Sequence, residues 1–161
     1  MEILDLFDAN GNPLHKTIVR ASRKLNHDEY IKIVTIWINC KGKYLIQKTS
    51  KEKHSEYAVS GGHIPTGVNP TDQAVIEISE ELGVTIDRNQ LKYLGRILRG
   101  QVFFETYLLE DDTFDGLQLT LQESEVESVL WLYSSEIEEM ISREDFRISS
   151  ALQYEKLIKN L

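Results

Sequence analysis

The sequence predicts an α+β fold, a mixed β-sheet with helices on both of its faces. Three observations lead there. The chain has 161 residues, one domain's worth, enough to bury a core without disulfides or a structural metal. Short runs of β-branched and aromatic residues recur along it, with one strong helical pattern in the middle and two weaker ones near the end. Apolar residues make up 41% and charged residues 27%, with seven Tyr, five Phe and two Trp, a composition that folds rather than staying disordered.

The elements follow in order. Residues 2 to 7 alternate as a strand, Asp8-Ala-Asn-Gly-Asn-Pro13 is a turn, and a return segment runs to about Arg20, so an N-terminal hairpin is expected. Ile31 to Asn39 is β-branched and aromatic; Cys40-Lys-Gly-Lys43 turns the chain into Tyr44 to Lys48, a second hairpin. Tyr57 to Ser60 is a short strand leading into Gly61-Gly62. Asn69 caps a helix with Pro70 at its first position; Ala74, Ile78 and Leu82 supply its apolar stripe and Gly83 ends it. Strands at about 91 to 98, 101 to 109 and 126 to 133 come next, then a short helix near 135 to 141 and a terminal one near 145 to 160. Residues 1 to 161 are expected to form a single domain.

Eighteen basic and 26 acidic side chains leave a net charge of −8. Such a chain is repelled by phosphate backbones and anionic lipid, which argues against nucleic-acid or membrane partners. The charge is uneven: residues 16 to 53 hold ten of the basic side chains, whereas residues 101 to 142 hold eleven acids and no base, so two faces of opposite sign are expected. Cys40 is the only cysteine, which excludes an internal disulfide and a thiolate zinc site. The acidic start lacks the pattern of a signal peptide, and no apolar stretch reaches membrane-span length, so a cytoplasmic location is expected. His15, His27 and His54 form no metal-binding spacing.

Glu77, Glu80 and Glu81 stand at i, i+3 and i+4 on the central helix, three carboxylates on one face. Like charges at this spacing repel by roughly 0.2–0.5 kcal/mol per pair, and a hard divalent cation relieves that repulsion. A solvated acidic face is the plainer alternative. Around them, Gly62, Ile78, Gly83 and Val84 complete a pattern that resembles the Nudix box, G-x5-E-x7-R-E-U-x-E-E-x-G-U with U aliphatic, laid over residues 62 to 84. Seven of its nine defined positions match. Val68 stands where the family has its first Glu, and Ile76 where it has Arg; an apolar contact can brace the junction that this ion pair braces elsewhere.

The resemblance implies an α/β/α sandwich with a mixed central β-sheet and a metal-dependent hydrolase of a nucleoside diphosphate linked to another group, or of a similar organic diphosphate. It further implies Mg²⁺ or Mn²⁺ held by Glu77, Glu80 and Glu81 with the Gly62 carbonyl and a carboxylate from Glu123 or Glu125. Glu77 is the expected base. Lys48, Lys53 and His63 are expected to face a small-molecule diphosphate. The Leu6-to-Pro13 opening, Trp37-Ile38-Asn39, Gly62-His63 and Glu123-Ser-Glu125-Val126 are similar to the isopentenyl-diphosphate isomerase branch. Isomerase chemistry itself is disfavoured, because that branch carries a Cys just before its Gly-His step, where this chain reads Tyr57-Ala-Val-Ser-Gly-Gly-His63. The loss of a carboxylate at Val68 keeps open an alternative, a diphosphate-binding or regulatory domain with little turnover.

Overall fold

Strand pairing divides the backbone into a small N-terminal ribbon and a seven-stranded sheet, in a computed structural model that describes residues 1–22 and 24–161. The ribbon is β1 (Ile3–Phe7) with β2 (Pro13–Val19), antiparallel across the Asp8–Asn12 turn. Asp8 carboxylate Oδ1 accepts from the backbone N–H groups of Asn10 and Asn12, both at 2.9 Å, and that capping fixes the turn. The large sheet contains β3 (Ile31–Cys40), β4 (Lys43–Thr49), β5 (Tyr57–Ala58), β6 (Ser60–His63), β7 (Leu91–Arg99), β8 (Val102–Glu110) and β9 (Val126–Leu132). Its main path runs β5-β4-β3-β8-β7; β6 also pairs with β3, and β9 with β4. β3 and β8 are parallel and the other pairs antiparallel, the mixed sheet that was expected.

The second hairpin is looser than its sequence suggests. β3 and β4 pair only at Asn39 with Tyr44 and Cys40 with Lys43, next to a turn in which Lys41 (φ 55°) and Gly42 (φ 85°) are both left-handed. Beyond those two pairs the strands diverge: β6 takes over the edge of β3 at residues 33–36, while β5 takes that of β4. The single expected strand over Tyr57–Ser60 is accordingly two, because Val59 carries the chain across from one side of the split to the other.

α1 (Pro70–Leu82) follows its sequence signature closely. Asn69 Oδ1 accepts from Thr71 N at 2.9 Å, and Gly83 ends the helix at φ 70°. Its Ala74, Ile78 and Leu82, all fully buried, pack against Val34, Ile36 and Ile38 on one face of the sheet. Trp37, Tyr44, Ile46 and Leu108 on the opposite face are covered by α2 (Ser134–Ser142) and α3 (Ile148–Gln153). The expected terminal helix over 145–160 begins at Ile148 and widens into a π-turn over Tyr154–Ile158. Phe146, just before it, is held instead by stacking on Trp37 and by a bridge to Tyr57.

The oppositely charged segments do not form separate faces. Strand pairing sets them side by side, β3 against β8 and β4 against β9, and their charges meet as ion pairs: Lys32–Glu105, Lys41–Asp115, Lys48–Glu127 and Lys53–Glu125. Glu105 is the buried member of a larger network, taking both Arg96 Nε (3.1 Å) and Nη2 (2.9 Å) and the Tyr93 hydroxyl (2.8 Å). Arg96 also reaches the Asn10 carbonyl, so the N-terminal turn rests on this network. Cys40 is buried in the core, consistent with a packing role. Among the described residues no helix is long and apolar enough to cross a membrane.

Candidate active site

The split between β3/β6 and β4/β5 opens into a cavity of about 610 Å³. Two glycines let α1 close one side of it. A Cβ on Gly61 would lie 2.5 Å from the Val34 carbonyl oxygen, and one on Gly62 would collide with the Glu77 carboxylate. Glu77 is thus seated on bare backbone, a position that any side chain at residue 62 would deny it.

Gln73, Ile76, Glu77 and Glu80 fall at helical spacing on the stripe of α1 that faces the cavity, and Glu81 lines it as well. Glu77 Oε1 accepts from Gln73 Nε2 at 2.8 Å, and no hydrogen bond to its second oxygen is made among the described residues. Glu81 is buried, and its Oε1 accepts from Ser60 Oγ (2.6 Å), Gly61 N (3.2 Å) and Gln47 Nε2 (3.4 Å). Burial first, and then the neighbouring carboxylates Glu81, Glu80 and Glu125, push the Glu77 carboxyl up to about 8 against the pull of Gln73. Glu81 is pushed up to about 7, again by burial, with the hydrogen bonds from Ser60, Gln47 and Gly61 opposing.

The loop before β9 brings the fourth carboxylate. Thr120 N donates to Leu82 O (2.9 Å) and Gln122 N to Glu81 O (3.0 Å), stitching the loop to the end of α1, and Glu125 then lines the cavity with Lys53 Nζ at 3.5 Å. Gly62, His63 and Lys53 line it too. Lys48 and Glu123 do not. Lys48 pairs with Glu127 at 3.6 Å, and exposed Glu123 belongs to a shallow groove with Lys51 and Glu52, because alternation along β4 and the turn before β9 aim both side chains away. Val68 and Ile76 both stand on the cavity wall; Val68 packs onto the core, whereas Ile76 remains 39% exposed.

Several lining residues carry no signal in sequence: Thr35 and Phe104 in strands, Arg20 after β2, and Arg147, Ser149 and Ser150 at the start of α3. They are distant along the chain and meet only through the sheet. Gln73 is different, since its place four residues before Glu77 is readable from helical period alone.

The set of donors suits a hard divalent cation. Glu77, Glu80, Glu81, Glu125 and the Gly62 carbonyl are all oxygen, and among the described residues no cation pairs with Glu77, Glu80 or Glu81. Among those residues no three His, Cys, Asp or Glu groups are already drawn into one coordination shell; hydrogen bonds from Gln73 and Ser60 hold Glu77 and Glu81 instead.

Comparison with known proteins places this architecture. The family model of the NUDIX domain matches residues 31–157. Two curated relatives, uncharacterised Nudix hydrolases of Listeria innocua and Listeria monocytogenes, are each 28% identical over 153 residues, covering 91% of this chain and 88% of theirs. Among solved structures, a Deinococcus radiodurans protein superposes with a TM-score of 0.74 at 20% identity, over 90% of this chain and 91% of that one. The Nudix domain of Shewanella oneidensis NrtR, solved with ADP ribose, gives 0.60 at 13% identity, over 88% of this chain and 90% of its own. At these identities the structural likenesses speak for the fold, and the family match covers most of the sheet, α1 and the carboxylate face; the chain belongs to the Nudix hydrolase family.

Proposed function

We propose that residues 1–161 act as one Nudix domain that hydrolyses an organic diphosphate, a nucleoside diphosphate linked to another group or a similar compound, with Mg²⁺ or Mn²⁺. The observation that carries this reading is the concentration of Glu77, Glu80, Glu81 and Glu125 along one side of a single cavity, two of them with strongly raised proton affinity and, among the described residues, no ion-pair partner for the three on the helix. A bound metal ion supplies charge neutralisation of the diphosphate and a more acidic water.

The protein's own groups do the rest. Glu77 is held by Gln73 through Oε1, so Oε2, which no described residue hydrogen-bonds, is the atom placed to take a proton or an ion, and a carboxyl pushed up to about 8 exchanges protons readily at neutral pH. Glu81 is the most firmly positioned of the four, with three donors on one oxygen. Lys53 and His63 offer donors to the phosphoryl oxygens, Lys53 after leaving Glu125. Lys48 and Glu123 take no part in these roles, since neither lines the cavity. Isomerase chemistry through a cysteine is not part of this reading, because among the described residues the cavity lining holds no Cys.

Replacing Glu80 and Glu81 together by Gln tests the reading. Metal-dependent turnover of diphosphates is expected to vanish and Mn²⁺ binding to weaken with the fold intact; unchanged binding and turnover would make the helix face an ordinary solvated surface. The second reading, a domain that binds diphosphates with little turnover, is favoured by Val68 and Ile76, which put apolar groups on the cavity wall where the family carries a Glu and an Arg.

A further inference from the structure

The N-terminal ribbon grips the loop that joins β6 to α1. That loop, residues 64–69, separates two parts of the site that fit each other closely: Gly62 on β6, and Glu77 on α1, whose carboxylate fills the space a Cβ at residue 62 would need. A slip between strand and helix would undo that seat. Pro65 and Val68 line the cavity, whereas Thr66 and Gly67 between them are exposed and do not.

Asp5 on β1 holds both of these outer residues. Its Oδ1 accepts from the Thr66 hydroxyl at 2.6 Å and its Oδ2 from Gly67 N at 3.2 Å, so one carboxylate spans two consecutive residues of the loop. The first distance is that of a charge-assisted bond. Beside them Thr66 N donates to Ile3 O at 2.7 Å and Leu4 bridges to Pro65, while Ile64 N donates to Lys32 O at 3.2 Å. β1 is a firm support for this grip. Leu4 and Leu6 are buried with Ile31, Phe7 and Tyr30 exchange backbone hydrogen bonds of 2.9 Å, and Arg96 bonds the Asn10 carbonyl at the far turn. Val68 and Ile76 carry no charge, so no ion pair between them can tie the loop to the helix. The matched family model starts at residue 31, which leaves β1 outside it.

We infer that Asp5 is a positioning residue for the carboxylate site: through Thr66 and Gly67 it fixes the loop that keeps Gly62 set against Glu77. It acts from outside the cavity, whose lining does not include it. The inference rests on the metal-dependent reading above and names what keeps that site in register. A loop released from β1 would let the Gly62 carbonyl and Glu77 drift relative to each other, and a ligand set works only when its supports hold it closely in place.

Asp5→Ala, Thr66→Val and Thr66→Ser test the role, with Ile137→Val, on α2 in the opposite core, as a control for general loss of thermal stability. Mn²⁺ binding is followed by calorimetry and amide exchange by NMR. The Gly67 amide should be protected in the native protein and should exchange at least about tenfold faster in Asp5→Ala. Asp5→Ala is expected to weaken Mn²⁺ binding about five- to tenfold, no more than the loss of a partner bonded directly to a ligand. Thr66→Val should fall between it and the native protein, and Thr66→Ser should bind as the native protein does. Ile137→Val should melt earlier yet keep its Mn²⁺ affinity. Unchanged Mn²⁺ affinity in Asp5→Ala, an equal loss in Ile137→Val, or a Gly67 amide that exchanges equally fast with and without Asp5 would overturn the positioning role and leave the metal reading standing. Should Asp5→Ala fail to fold, Thr66→Val against Thr66→Ser decides, and equal Mn²⁺ affinity in those two overturns the inference. A native protein that does not bind Mn²⁺ removes the metal reading, and the role of Asp5 falls with it.

Discussion

Replacing Glu77 by Gln should make the metal-free protein more stable at pH 8, an unusual outcome for an active-site substitution in a buried setting. Burial and the adjacent carboxylates raise Glu77 from 4.5 to about 8. The unfolded chain therefore releases this proton near pH 4.5, whereas the folded chain holds it until about 8. A group raised on folding stabilises nothing extra below its unfolded value and costs increasing stability as pH climbs to its folded value. At about 1.4 kcal/mol per pH unit the full penalty approaches roughly 5 kcal/mol above pH 8, and coupling to Glu81 spreads it over both groups, so about 2–4 kcal/mol is expected at this site. Gln keeps an oxygen for Gln73 Nε2 and the size that fits over Gly62, and it removes the titration. Urea denaturation in chelator, followed through the fluorescence of fully buried Trp37, should show native and variant alike near pH 5 and the variant ahead at pH 8. Millimolar Mn²⁺ should reverse the order, because only the native protein gains a ligand. A variant less stable than the native chain at pH 8 without metal, or a gap that does not change with pH, would refute the argument that an uncompensated carboxylate cluster is stored here.

Other perturbations test separate parts of the structure. Gly62→Ala should displace Glu77, cost about 1–3 kcal/mol of stability as overpacking does, and abolish metal-dependent turnover, which thermal denaturation and a diphosphatase assay read separately. Burial alone would push Glu105 up, but the hydrogen bonds from Arg96 and Tyr93 and the charges of Arg96 and Lys32 hold it below the usual carboxylate range; its stabilisation is present above that range and lost as pH falls through its lowered value. Glu105→Ala should therefore cost about 3–5 kcal/mol at pH 7, the toll of stranding a partner of a buried pair, with the difference from the native chain narrowing in acid denaturation. Val68→Glu with Ile76→Arg should be better tolerated than either single change, each of which leaves one charge without its partner; a gain of about a hundredfold in turnover over an inactive native protein would favour the binding-domain reading.

Much of the fold was legible because local signals agreed with the final packing. Asn69-Pro70 and Gly83 bounded α1 to the residue, and Ala74, Ile78 and Leu82 pointed to its buried stripe. Pairing partners were not legible. Nothing near Tyr44 announces that β4 parts from β3 after two pairs, or that β9 lines its other edge from Tyr44 onward, since that partner comes from about eighty positions away. The same limit shaped the site. Glu77, Glu80, Glu81 and Gly62 were readable from spacing within one segment, whereas Ser149 and Ser150 look like any serines at a helix start until Gln153 meets Trp37. Lys48 and Glu123 were misplaced for a related reason: a neighbour of a site residue in sequence lies on the other side of a strand or turn.

The divergence of β3 and β4 has a consequence for how such a molecule can change. Because β6 continues the hydrogen-bonded edge of β3 while β5 continues that of β4, the sheet parts without leaving either strand stripped of partners along that length. The opening is thus a stable passage from one side of a layer to the other, and the groups on its two sides belong to different helices with separate cores, α1 on one and α3 on the other. Substitutions in α3 can then alter what is accepted while the carboxylate side stays under its own packing constraints, so that new tastes are acquired without renegotiating the chemistry.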